Sequence, residues 1–97
     1  MPSYIAESYL SRTRRSELPS LTARARDAAQ ALARQGHRIT YLRGAFVPED
    51  EVCLLWFTAA SPAIVTEAGR LAGLEFDRVI EELEPSSQGK SCAPESA

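Results

Sequence analysis

The chain predicts an α+β sandwich, with one four-stranded antiparallel sheet and two helices on a single face. Three observations carry this expectation. Four short runs read as strands, two stretches between them repeat apolar residues at three- and four-residue steps, and the elements follow the order β-α-β-β-α-β. Two β-α-β units joined by a hairpin close into such a sheet, the ferredoxin-like topology. The 97 residues suit one domain with a thin core, expected to span residues 1–84.

Residues 4–10, "YIAESYL", are short and rich in tyrosine and apolar types, as a strand should be. In the next segment Leu18, Leu21, Ala25, Ala28, Ala29 and Leu32 share one helical face, while Arg24, Asp27, Gln30 and Arg34 fall on the other. Ser16 is the expected N-cap, Pro19 lies in the first turn where its missing N–H costs little, and Gly36 ends the helix. "RITYLRGAFV" (38–47) alternates as a strand, and Pro48 opens a turn in which Asp50 fits. "EVCLLWFT" (51–58) is apolar on both faces, as a central strand buried on both sides is. In "SPAIVTEAGRLAG" Ser61 caps a second helix, Pro62 fills its first position and Gly73 stops it. Its stripe is Ile64, Val65, Ala68, Leu71 and Ala72. "EFDRVIEEL" (75–83) is the last strand, and the residues from Pro85 to Ala97 hold too little apolar surface to order.

Composition narrows the function classes. The apolar fraction of 44% and charged fraction of 25% belong to an ordinary globular chain. A net charge of −2 argues against nucleic acid and against an anionic membrane surface as partners. Arg12, Arg14 and Arg15 read as a solvated helix start rather than a phosphate site. No run approaches the roughly 18 apolar residues of a membrane span, and "MPSYIAESYL" lacks the pattern of a signal peptide. Cys53 and Cys92 make no disulfide framework, so a reducing, cytoplasmic setting is expected.

Two helices cover one face of a four-stranded sheet and leave the other open. Alternation puts Ile5, Glu7 and Tyr9 on one side of the first strand, with Tyr4, Ala6, Ser8 and Leu10 on the other. Glu7 under two apolar helices would be costly, so its set belongs to the open face. The same reasoning groups Ile39, Tyr41 and Arg43 there and sends Leu42 and Phe46 to the core. Either Trp56 with Leu54 or Phe57 with Leu55 completes the face. An apolar central strand is not left bare, so a second copy is expected to cover it as a homodimer. Tyr9, Tyr41 and an aromatic such as Trp56 would line a small-molecule pocket, with Glu7 and Arg43 as its polar groups. The plainer reading is a Glu7–Arg43 interfacial salt bridge.

The start "MPSYIAESYL", the passage "VCLLWFTAASPAIV" and the close "AGLEFDRVIEELE" resemble a small actinobacterial family described as nickel-binding proteins, otherwise a domain of unknown function. The resemblance spans residues 1–84 and implies a stand-alone, dimeric, ferredoxin-like chain with nickel as its metal. The family's histidines near the end of the first strand and in the second helix correspond here to Ser8 and to Ala68 or Gly69. The one histidine is His37. Imidazole is the usual nitrogen ligand for nickel, so the nickel that the resemblance implies meets a chain without those donors.

Other chemistry is sparse. "PEDE" (48–51) offers three adjacent carboxylates, which suit a hard cation but cannot wrap around one by themselves, and a soluble hairpin turn accounts for them. No nucleophile elbow and no glycine-rich phosphate loop exists. The leading expectation is a dimeric ligand- or metal-binding protein. The alternative is a cofactor-independent cyclase, isomerase or monooxygenase with Glu7 as general base, Tyr41 or Tyr9 orienting substrate and Arg43 holding an anion.

Overall fold

A computed structural model describes residues 1–83. The tail expected to be disordered, 85–97, lies outside the described residues. The elements are β1 (Ser3–Tyr9), a 3₁₀ segment (Arg12–Glu17), α1 (Leu18–Arg34), β2 (Ile39–Val47), β3 (Val52–Ala59), α2 (Pro62–Ala72) and β4 (Arg78–Glu82). The strands pair antiparallel in the order β2-β3-β1-β4, the α+β arrangement expected. Among the described residues no helix is long and apolar enough to cross a membrane.

The core lies between the helices and one face of the sheet. Tyr4 and Ala6 of β1, Cys53, Leu55, Phe57 and Ala59 of β3, Leu21, Ala25, Ala29 and Leu32 of α1, and Val65 and Ala68 of α2 are all buried. Each fully buried large side chain, such as Leu55 or Phe57, stabilises the fold by about 2 kcal/mol. The alanines keep both helices close to the sheet. Gly36 and Gly73 end α1 and α2 with positive φ, 98° and 73°, as expected.

Three local expectations are corrected. The first helix does not start at Ser16. Ser11 caps an earlier 3₁₀ turn by accepting a hydrogen bond from the Thr13 N–H at 3.3 Å. The chain then kinks at Arg14 before α1 begins at Leu18, with no side-chain cap from Glu17. A pair of bonds from Arg14 to Glu17, 2.9 and 2.7 Å, holds that kink. The last strand is shorter than 75–83. Ser8 donates to the Glu75 carbonyl at 3.0 Å and Asp77 N–H to the Glu7 carbonyl at 2.7 Å, so residues 75–77 form a strap across the end of β1. Leu71 lies outside the buried stripe of α2 and is 45% exposed; Gly69 is buried in that helix instead.

The largest correction concerns β2. Tyr41 pairs with Phe57, but Arg43 pairs with Trp56, so Leu42 is an extra residue in the edge strand. This bulge reverses the alternation. Ile39 and Tyr41 face the helices before it, and Phe46 packs there after it, whereas Arg43 moves to the other side. Leu42, expected in the core, is 50% exposed. Tyr41 meets the Phe57 ring edge-on, with centroids 5.6 Å apart.

Gly69 is where α2 must be bare. A methyl group there would sit 2.6 Å from Cε2 of Phe76, whose ring also tilts against Phe57 at 6.3 Å. Helix propensity alone favours alanine by about 1 kcal/mol, and overpacking opposes it by about 1–3 kcal/mol. Gly69→Ala is therefore expected to lower stability by about 1 kcal/mol in urea unfolding. In a Phe76→Ala background the same change should become stabilising; a stabilising Gly69→Ala in the parent chain would refute the contact.

Burial pushes up the pKa of both the Cys53 thiol and the Tyr41 phenol, because the core disfavours their ionised forms. Their folded values thus exceed the unfolded ones, which lie near 8.5 for Cys and near 10 for Tyr. The stability this supplies is complete below the unfolded values and is lost as pH rises toward and through the folded ones. Urea midpoints should decline in alkali, and Tyr41→Phe should flatten the decline above about pH 10. An unchanged slope in that variant would show that Tyr41 ionises freely in the folded chain.

Candidate functional site

Strand register builds the open face in cross-strand rows. One row is Arg43, Trp56, Ile5 and Ile80; the next is Ala45, Leu54, Glu7 and Arg78; the third is Val47, Val52 and Tyr9. The fourth, at the opposite end, is Thr40, Thr58, Ser3 and Glu82. Trp56, Ile5, Ile80 and Leu54 thus form a contiguous apolar patch on the side away from α1 and α2. None of the four is fully buried. The choice left open for β3 falls on Trp56 with Leu54, since Phe57 and Leu55 are buried beneath the helices.

Charged groups stand at the sides of this patch, each held by a neighbour. The Arg43 guanidinium lies over the Trp56 ring, 3.8 Å from its centroid, a cation–π contact that also covers part of the indole. Arg78 donates from Nε and from its terminal nitrogen to the two Glu7 oxygens, at 3.3 and 3.1 Å. That carboxylate raises the pKa of the Arg78 guanidinium, chiefly through these hydrogen bonds, and keeps it charged.

Four of the five expected site residues therefore share a face: Glu7, Tyr9, Arg43 and Trp56. Tyr41 does not join them, because the bulge turns it toward the helices. Within the chain Glu7 pairs with Arg78 and not with Arg43, since Glu7 and Arg43 fall in different rows on opposite sides of β3. Tyr9 stands at the rim, 61% exposed, with its hydroxyl 3.4 Å from Glu51 as a weak donor. Arg78 and Ile80 escaped the sequence reading, although "RVIEE" alternates as the other strands do and would have placed both with Glu82.

The acidic turn separates into two parts. Pro48 opens it, with Asp50 N–H donating to the Val47 carbonyl at 3.2 Å, and Glu49 and Asp50 are exposed. Glu51 has left-handed backbone, φ 52°, and its side chain turns back toward β1. It accepts from the Arg12 N–H at 3.0 Å and faces Arg12 Nε at 3.7 Å, tying the 3₁₀ segment to the hairpin. This is a structural clamp.

The residues do not fit the nickel that the resemblance implies. Ser8 is buried and committed to the Glu75 carbonyl, Ala68 is buried in the core, and Gly69 is closed off by Phe76. Among the described residues no group of three or more His, Cys, Asp or Glu side chains could hold a metal ion. His37 lines a different hollow, with Leu32, Ala63, Ile64 and Glu67, at the foot of the two helices.

No protein-family model matches the chain, and no curated protein matches it. Among solved structures it is similar to the crystal structure of SCO4226 from Streptomyces coelicolor A3(2), with a TM-score of 0.62 over 86% of this chain and 95% of that one. The two sequences are 13% identical, so what they share is the fold.

Proposed function

We propose that this chain is a small ligand-binding protein that works as a homodimer, with two copies packing their open sheet faces together. The observation that carries the reading is the contiguous patch of Trp56, Leu54, Ile5 and Ile80 on the uncovered side of the sheet. An outward tryptophan in a central strand, surrounded by aliphatic neighbours, is the composition of an interface core. The charge layout supports a second copy as the occupant. Arg43 lies on the β2 side of the face, while Glu7, Glu82 and Arg78 on the β1–β4 side sum to one negative charge. A two-fold axis parallel to the strands sets each side over its opposite, the self-complementarity an isologous interface needs.

The Glu7–Arg78 pair fits the same picture. Paired charges are cheaper to bury than single ones. Each Glu7 oxygen already accepts from Arg78, so the carboxylate is engaged as half of an ion pair, which supports a binding reading over a general-base one. The ligand would sit between the facing sheets beside Trp56, with the arginines as its polar contacts. Nickel takes no part in this reading.

Native mass spectrometry and light scattering of the full chain, taken from its own host, report subunit count and retained ligand together. A dimer is expected at low micromolar concentration. Leu54→Glu should give a monomer with unchanged circular dichroism and red-shifted Trp56 fluorescence. A parent chain still monomeric at about 100 µM, where a micromolar interface would be saturated, would overturn the proposal. Elemental analysis of untagged protein grown with nickel should find the metal well below one per chain; stoichiometric nickel would show that donors other than those described complete a site.

A further inference from the structure

The bulge that removes Tyr41 from the open face delivers it to a hollow of ≈ 190 Å³ between α1 and β2. The floor is apolar: Ala29 and Ile39 are buried there, and Ala33 continues the same wall one helical turn on. The small side chains at 29 and 33 are what leave the space open. The rim is polar, with Arg26 and Gln30 from α1 and Thr40 and Tyr41 from β2.

One of these rim groups has bonding capacity to spare. Among the described residues the Arg26 guanidinium reaches only its chain neighbour Asp27, with both contacts at a long 3.4 Å, and it is half exposed. Tyr41 contributes its ring, because its hydroxyl points along β2 to Gly44, where a methyl group would sit 2.9 Å from it, and lies beside Thr22 and Leu55. An arginine fork matches a carboxylate bidentately, as no neutral ligand can. An apolar cavity of roughly 150 Å³ takes a benzene ring, so this hollow has room for one ring and little more.

We propose that the hollow between α1 and β2 is a binding site for a small aromatic monocarboxylate, with the ring against Ala29, Ala33, Ile39 and the side of Tyr41 and the carboxylate on the Arg26 guanidinium. It lies on the helix side of the sheet and stands whether or not the open face dimerises.

The test is a titration of the full chain with benzoate, followed in nitrogen–proton correlation spectra, with benzamide as the neutral counterpart. Benzoate should shift the amides of Ala29, Gln30, Thr40 and Tyr41 saturably, with a Kd on the order of 1 mM for so small a ligand. Benzamide should bind about 10-fold more weakly. Arg26→Leu should bring benzoate down to the benzamide level. Ala33→Leu, at an exposed position, should narrow the hollow and abolish both responses while the spectrum keeps its dispersion. Three results would each overturn the proposal: no saturable shift of these amides up to about 50 mM benzoate, equal affinity for the two probes, or undiminished benzoate binding by Arg26→Leu.

Discussion

The close packing of two small-residue helix faces on one side of a single sheet is the contact on which everything else depends. Ala25, Ala28 and Ala29 of α1 and Ala68, Gly69 and Ala72 of α2 are all buried there. They let Leu55, Phe57 and Val65 fill the space between the layers with no exposure at all. Larger side chains at the alanine positions would lift the helices and open voids around those rings, and dispersion contacts vanish quickly with separation. Because the helix layer is only one deep and one-sided, the strands must be two-faced.

From that one-sidedness the open face follows. Every strand residue not beneath the helices is turned outward, and β3, with Leu54 and Trp56 alternating against Leu55 and Phe57, has apolar residues on both sides. A hydrophilic outer set would leave the two layers complete in themselves. The outer set found here is aliphatic and aromatic at its centre, with cations and carboxylates tied to near neighbours. Arg43 lies flat over Trp56 and Arg78 holds Glu7, so neither charge stands alone above the apolar patch.

One extra residue shapes both sides of the sheet. With Leu42 bulged from the edge strand, the chain places Tyr41 beneath the sheet and Arg43 above it, although the two are separated by a single residue. The bulge also interrupts the outer rim of β2, a common way to blunt an exposed edge. The open face loses an aromatic wall, and the α1–β2 hollow acquires Tyr41 as part of its lining.

Legible along the chain are the element order, the two helical stripes apart from Leu71, the glycine stops at 36 and 73, and the face of β1 that carries Glu7 and Tyr9. These are set by local periodicity, by backbone preferences and by the cost of burying a lone carboxylate, all of which act within a few residues. Tertiary structure decided which aromatic of β3 faces outward, that Glu7 pairs with Arg78 of β4, that Glu51 clamps Arg12, and that Tyr41 lies under the sheet. Each of these depends on a partner far away in the chain or on a one-residue bulge. Strand alternation has a period of two, so one inserted residue reverses every assignment beyond it, and only the pairing with β3 reveals where that insertion lies.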